Sequence, residues 1–99
     1  MSRNHNIINE TSLQFFGLIS ASTSHEIKNT LAIINENIGL LNDFIFMSDN
    51  GTPLNPERVK KIADKITKQI QRTDQIVKNM NEFAHSVEKY MTALRLMRS

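Results

Sequence analysis

The sequence predicts an all-α fold, an antiparallel two-helix hairpin that pairs with a second copy to form a homodimeric four-helix bundle. Two long segments carry apolar residues at spacings that alternate between three and four, the heptad repeat of packed helices. One short segment rich in turn-forming residues, 49–57, separates them, so the helices are expected to lie antiparallel. Both apolar faces are too broad for two helices to cover, and a second copy is the simplest partner.

The composition supports long helices and limits the classes of protein. The chain has 99 residues, enough for one domain. Apart from Gly17 and Gly39, every glycine and proline falls between residues 51 and 56, a distribution that favours helices over a β-sheet. There is no cysteine, which excludes a disulfide framework and a thiolate metal site. A formal net charge of +2 does not indicate a nucleic-acid partner, and none is expected.

The distribution of charge and apolar residues bears on location and partners. No signal peptide is present, and no apolar run approaches the ~20 residues that a membrane span needs. We therefore expect a cytoplasmic chain without a membrane span, which leaves open a membrane anchor in a longer protein. Residues 10–49 carry five acids and one lysine, a net charge of −4, and residues 57–78 carry seven bases and three acids, a net charge of +4. Solvated faces of opposite sign attract each other only weakly.

The first helix is predicted over about residues 11–49, after a polar, flexible arm at residues 1–10. Thr11 and Gln14 could form a capping box at its start. Its apolar stripe comprises Ile27, Leu31, Ile34, Ile38, Leu41 and Ile45. Farther upstream two arrangements stay open. Either the same register continues and leaves an exposed apolar patch that includes Phe15 and Leu18, or a phase shift buries these residues together with Phe16 and Ile19.

The second helix is predicted over about residues 56–97, so that residues 11–99 form one helical hairpin. Gly51 can close the first helix in the left-handed conformation, and Asn55 is suited to be the N-cap that precedes Pro56. The stripe of the second helix comprises Val59, Ile62, Ile66, Gln69, Thr73, Ile76, Met80, Phe83, Val87, Tyr90, Leu94 and Met97.

Two polar residues interrupt this second stripe. Gln69 and Thr73 occupy positions where apolar residues are expected, and the hairpin would bring them near Asn35 and Leu31. Polar groups inside a helical bundle specify register and partner at some cost in stability.

The residues with the clearest chemistry lie at positions 24–31. His25 is followed by Glu26, and Asn29 stands four positions later on the same helix face. The heptad register puts this face outside the core. Imidazole is partly neutral at pH 7, so one ring nitrogen is available as a nucleophile. Glu26 could hold the proton on the other nitrogen, and Asn29 could orient a water or a phosphoryl oxygen.

Other interpretations of these residues are weaker. A zinc-protease helix needs H-E-x-x-H, and the fifth position here is Asn29. No glycine-rich phosphate loop is present, so no nucleotide site is expected in this chain. His5 and His85 have no such neighbours, and we interpret them as ordinary surface histidines. A structural coiled coil with an accidental H-E-x-x-N pattern stays possible.

Residues 18–31 resemble the H-box of sensor histidine kinases, in which histidine is followed by Glu, an apolar and a basic residue, Asn or Thr, Pro and Leu. In these two-component signalling proteins the box belongs to the dimerisation and histidine phosphotransfer (DHp, or phosphoacceptor) domain. The resemblance implies that His25 is the phosphoacceptor of a phosphorelay, that Glu26 is its acid/base partner, and that Asn29 acts in phosphotransfer or dephosphorylation. It also implies two partners besides the second copy, a response-regulator receiver domain and an ATP-binding catalytic domain in cis or in trans.

Two departures from the family pattern affect these expectations. Thr30 stands where the family usually has proline, so the helix bend associated with that proline is expected to be weaker or absent. An ATP-binding domain is not part of this chain, so we expect no cofactor here, with ATP and Mg²⁺ bound by a separate catalytic domain, and no activity of the chain alone on ATP. The alternative is a non-catalytic dimeric scaffold, or a kinase-binding regulator that keeps the fold without phosphotransfer.

Overall fold

Two helices account for nearly all of the chain in the computed structural model. It describes residues 2–98, with the side chains of residues 2–9 and of residue 12 left aside, so Met1 of the predicted arm and Ser99 of the predicted hairpin lie outside it. Helix α1 spans Ser2–Asp49 and helix α2 spans Pro56–Arg98, and no strand occurs within residues 2–98. The helices pack into a hairpin of 76 × 17 × 13 Å. The predicted all-α hairpin is confirmed.

Helix α1 begins earlier than predicted. It starts at Ser2 instead of near Thr11, so Thr11 lies inside the helix and the predicted capping box is wrong. Residues 2–10 contain neither proline nor glycine, and lengthening an existing helix is much less costly than nucleating a new one. The flexibility predicted for residues 1–10 stays a prediction.

The turn between the helices forms as its residues predict. Gly51 has a φ of 97°, its N–H donates to the Ser48 carbonyl at 3.1 Å, and the Thr52 N–H donates to the Met47 carbonyl at 2.9 Å. These two bonds are the Schellman motif that ends many helices. The Asn55 side-chain oxygen accepts a bond from the Glu57 N–H at 3.0 Å, which confirms the predicted N-cap.

Replacing Gly51 tests this turn. Gly51→Ala is expected to lower the free energy of unfolding by about 1 kcal/mol, because an L-residue at positive φ is strained. Gly39→Ala is the matched control, since Gly39 lies in regular helix with open space around its Cα, and it is expected to stabilise by up to about 1 kcal/mol. Urea unfolding at one fixed protein concentration measures both changes. Equal effects of the two substitutions would contradict the role of the turn.

The hairpin interface follows a three–four spacing on both helices. On α2 the predicted stripe is half-buried or buried from Val59 to Val87, with Ile62 and Ile76 the buried apolar residues. Beyond Val87 the prediction holds only in part, since Leu94 is half-buried but Tyr90 and Met97 are exposed. On α1 the interface residues are Phe16, Ile19, Ser20, Thr23, Ile27, Thr30, Ile34, Asn37, Leu41, Phe44 and Ser48.

The apolar stripe predicted for α1 is divided between two faces. Ile27, Ile34 and Leu41 enter the hairpin interface as predicted. Leu31, Ile38 and Ile45 do not, since they are 51%, 41% and 45% exposed, and the positions beside α2 are taken by Thr30, Asn37 and Phe44 instead. A heptad stripe is wider than one neighbouring helix can cover, so α2 covers only one flank of it.

The uncovered flank of α1 continues onto α2. Leu31 and Ile34 line one groove together with Ile70 and Val77, which are 55% and 41% exposed. We call this surface the open face, and it comprises Leu31, Ile38 and Ile45 of α1 with Ala63, Ile70 and Val77 of α2.

Upstream of residue 24 each of the two predicted arrangements is correct in part. Phe16 and Ile19 are half-buried in the hairpin interface, as the phase shift predicts. Phe15 and Leu18 are 55% and 68% exposed, as the continued register predicts. The rings of Phe15 and Phe16 both lie 5.9 Å from the ring of Phe83, so this end of the hairpin is held by an aromatic cluster.

Candidate functional site

His25, Glu26 and Asn29 lie on an uninterrupted stretch of α1, and all three side chains are exposed. Ile27 and Thr30, which alternate with them in sequence, point into the hairpin. Because side chains four positions apart share a helix face, His25 and Asn29 stand one above the other, roughly 6 Å apart along the axis. The predicted position of the histidine outside the core is confirmed.

Within the part of the chain that the structure describes, no hydrogen bond or ion pair engages the side chains of His25, Glu26 or Asn29. Both imidazole nitrogens are therefore accessible to an incoming group. Glu26 is adjacent to His25 in sequence, and adjacent helix residues point about 100° apart. The two side chains consequently converge only when their rotamers change or when a partner lies across both.

The helix beneath the histidine is anchored to α2 by polar contacts. Thr30 is completely buried, with 0% of its surface exposed, and its hydroxyl donates to the Ile27 carbonyl at 2.7 Å. The Thr73 hydroxyl lies 2.7 Å from the Thr30 hydroxyl across the interface. Thr73 lines a groove together with Leu31, as predicted, and its hydrogen-bond partner on α1 is the neighbouring Thr30. Asn35, the other residue predicted near this pair, is exposed.

The Thr30–Thr73 contact and the stacked Phe16–Phe83 pair fix the level of His25 along α2. The histidine lies beside the turn of α2 that contains Ile76 and Val77. The charged groups of this turn are already engaged with each other, because Lys78 and Asp74 form an exposed ion pair at 3.2 Å. The hairpin thus offers His25 no charged partner from α2 at this level.

Sequence reasoning missed the buried polar residues of α1. Thr30 and Asn37 are 0% and 5% exposed, and Asn37 donates to the Ile33 carbonyl at 2.8 Å. A signal was available, since Thr23, Thr30 and Asn37 are spaced seven apart, beside the apolar stripe. Polar residues at this spacing are usually assigned to solvent.

The described residues contain neither a metal-ligating cluster nor a membrane-spanning helix. Across residues 2–98 as described, no group of three or more His, Cys, Asp or Glu side chains is placed to hold a metal ion. Neither helix, over the residues described, combines the length and apolar character needed to cross a membrane.

An accessible histidine lies on the outer face of a helical hairpin whose open face is uncovered, an arrangement suited to a helical module that assembles with a partner. The family model of the His Kinase A (phospho-acceptor) domain matches residues 17–88, which is well over half of the chain. The chain therefore belongs to the His Kinase A (phospho-acceptor) domain family. The predicted function as the phosphoacceptor and dimerisation module of a histidine kinase in two-component signalling is confirmed by this match. Neither a curated protein nor a solved structure matches the chain.

Proposed function

We propose that His25 accepts a phosphoryl group and passes it to an aspartate of a response-regulator receiver domain. The observation that carries the proposal is an exposed histidine without side-chain partners in the described structure, inside the segment that matches the phosphoacceptor family. His85 also lies in that segment and is exposed. Only His25 has a carboxylate next to it and an amide one turn later on its own face.

The chemistry proceeds in two balanced transfers. A lone pair on an imidazole nitrogen attacks the γ-phosphorus of ATP held by a catalytic domain, the N–P bond forms, and the bond to the bridging oxygen breaks to release ADP. A carboxylate oxygen of the receiver then attacks the same phosphorus, and the N–P bond breaks to regenerate the imidazole. Such transfers depend mainly on positioning and on stabilising charge.

Glu26 and Asn29 assist these transfers in different ways. The carboxylate of Glu26 holds the proton on the imidazole nitrogen that does not attack, which keeps the attacking nitrogen electron-rich. The amide of Asn29, one turn beyond His25, donates to a phosphoryl oxygen or orients the water that removes the phosphoryl group from the receiver. Both roles suit side chains that are exposed and unengaged before a partner arrives.

The module acts as a homodimer. The radius of gyration of the chain is 22.2 Å, whereas a compact chain of this length has about 13 Å. Its accessible surface is 7989 Å², roughly 2,000 Å² more than the approximately 5,800 Å² expected for a globular protein of 11.4 kDa. A second copy seated on the open face supplies the missing burial and completes a four-helix bundle.

A basic stripe on α2 suits the receiver partner. It comprises the exposed residues Arg58, Lys61, Lys65, Lys68 and Arg72. From Lys61 onward, each residue of the stripe comes directly before an interface residue in the sequence. Ile70 and Val77 of the open face instead come directly after an interface residue. At about 100° per residue, the stripe and the open face lie on opposite flanks of the hairpin.

The stripe stays available in the dimer and points toward the site. It extends roughly 21 Å along α2, from the turn to the level of Thr30, one to two helical turns beyond His25. Ile33 and Leu40 of α1 lie on the same flank, and Leu40 is 43% exposed. A receiver domain that brings an aspartate to His25 and presents an acidic surface would fit this combination of apolar and basic side chains.

Lys65→Glu tests this docking surface. It is expected to raise the receiver concentration at half-maximal transfer by about fivefold, and more at low ionic strength, with an unchanged rate at saturation, because rim charges act on encounter. Lys60→Glu is the matched control, since Lys60 is exposed on the same helix but does not belong to the stripe. Phosphotransfer assays quenched at fixed times, at two salt concentrations, measure the effect. An equal effect of both substitutions would mean that only net charge matters, and it would contradict the assignment of the basic stripe as the docking surface.

The proposed function is tested by following one phosphoryl group through both transfers. The chain is incubated with Mg²⁺-ATP and a separately purified histidine-kinase catalytic domain, and then with a receiver domain or its Asp→Asn variant. The expected label is first acid-labile and base-stable, as on histidine, and then base-labile, as on a carboxylate, and only with the intact receiver. Absence of any label from every competent donor would instead support a non-catalytic scaffold.

A further inference from the structure

Four oxygen atoms connect the backbones of the two helices just below His25. The Ile27 carbonyl lies 2.7 Å from the Thr30 hydroxyl, that hydroxyl lies 2.7 Å from the Thr73 hydroxyl, and the latter lies 2.8 Å from the Gln69 carbonyl. Thr30 is fully buried and Thr73 is half-buried. The row crosses the hairpin interface and ends two residues beyond the histidine.

Counting the hydroxyl protons shows that both threonine hydroxyls have a hydrogen-bond acceptor. Two hydroxyl protons serve three short contacts, and one proton must lie between the hydroxyls to hold them at 2.7 Å. The other proton goes to the Ile27 carbonyl or to the Gln69 carbonyl. Neither hydroxyl donor is then left unsatisfied, and each carbonyl keeps its own helix amide as a partner. The pair therefore bridges the helices without a buried orphan.

This contact restrains rotation of α1 between the aromatic cluster and the histidine level, where two interface side chains are small. The interface residues before Thr30 include the small side chains of Ser20 and Thr23, and apolar contacts do not prescribe a direction. A hydrogen bond is directional, because it weakens steeply as its geometry departs from linear. Turning α1 by roughly 20° about its axis would displace the Thr30 hydroxyl sideways by about 1 Å, which bends the bond away from linear and weakens it.

We infer that the Thr30–Thr73 pair is a positioning device for His25. It holds α1 at the rotation that presents His25 and Asn29 together on the outer face. The family usually has proline at this position. Thr30 instead keeps its backbone N–H in the helix and supplies the hydroxyl that bonds to Thr73. The consequence for phosphotransfer rests on the proposed function, whereas the restraint on rotation does not.

Thr73→Val removes the bridging hydroxyl and keeps the shape of the side chain. Thr30 still donates to the Ile27 carbonyl, so no donor is orphaned and the fold is expected to persist. Thr67→Val is the matched control, because the Thr67 hydroxyl is exposed and bonds only within its own helix, to the Ala63 carbonyl at 2.9 Å. Thr73→Ser restores a hydroxyl at the interface and is the conservative rescue.

Two measurements on the intact chain separate positioning from stability. NMR relaxation dispersion at the backbone amides of residues 25–30 should be flat for the wild type, Thr67→Val and Thr73→Ser, and should show microsecond-to-millisecond exchange for Thr73→Val. The phosphotransfer rate at saturating receiver should fall about fivefold in Thr73→Val, with the half-saturating receiver concentration unchanged.

Each outcome decides the inference. Flat profiles in Thr73→Val, or exchange of the same size in Thr67→Val, overturn the restraint on rotation. Exchange in Thr73→Val with an unchanged transfer rate overturns the link to His25. If the wild-type chain takes no phosphoryl group from any donor, the proposed function fails, and the NMR comparison still decides the restraint on rotation.

Discussion

Ile38→Asp is expected to abolish the homodimer at micromolar concentration. Ile38 is 41% exposed in the single hairpin but lies in the middle of the open face, where the second copy would cover it. The substitution places a carboxylate without a partner in the bundle core, once per copy, and burying such a charge costs several kcal/mol. A loss of about 4 kcal/mol raises the dissociation constant by roughly 10³-fold. Sedimentation equilibrium of wild type and variant measures the change.

Leu40→Asp is the control for Ile38→Asp. Leu40 is 43% exposed, so an isolated hairpin would be affected almost equally by either substitution. Leu40 precedes an interface residue whereas Ile38 follows one, and it therefore lies on the flank opposite the open face. The dimer should survive Leu40→Asp. A folded wild-type monomer, or equal dissociation of both variants, would contradict the four-helix arrangement.

His25→Gln is expected to reduce phosphoryl incorporation to background, more than about 10³-fold below wild type, because a glutamine amide is not a nucleophile. The side chain is exposed and has no partner in the described structure, so the free energy of unfolding should change by less than about 0.5 kcal/mol. Labelling with a trans-acting catalytic domain, together with urea unfolding, measures both quantities.

His85→Gln is the matched control for His25→Gln. His85 is also exposed and lies on a long helix inside the family match. The His85→Gln variant should therefore incorporate phosphoryl groups at the wild-type level. Full labelling of His25→Gln would remove His25 from the reaction. A large loss of stability in that variant would contradict its position outside the core.

Local chemistry explains which features the sequence predicts well. Gly51 and Asn55 determine the turn through their own backbone and side-chain bonds, and no distant residue has to be known. The position of His25 follows equally directly, because Ile27 and Ile34 fix which side of α1 is apolar. The exposed site could therefore be found from spacing alone.

The division of the apolar stripe could not be found in this way. A heptad repeat shows which side of a helix is buried in the assembly, but not which flank faces the other helix of the same chain. From the sequence, Thr30 is notable only because the family usually has proline there. The structure shows it to be a buried partner of Thr73. The early start of α1 at Ser2 was missed because helix propagation needs no particular signal in the sequence.

The most direct test of the central claim is the location of the phosphoryl group. The wild-type chain is labelled by a catalytic domain in trans, digested at neutral to alkaline pH to preserve phosphohistidine, and mapped by tandem mass spectrometry. We expect one acid-labile phosphoryl group, on His25. A phosphoryl group on His85 or His5 instead, or on a hydroxyl side chain, would contradict it.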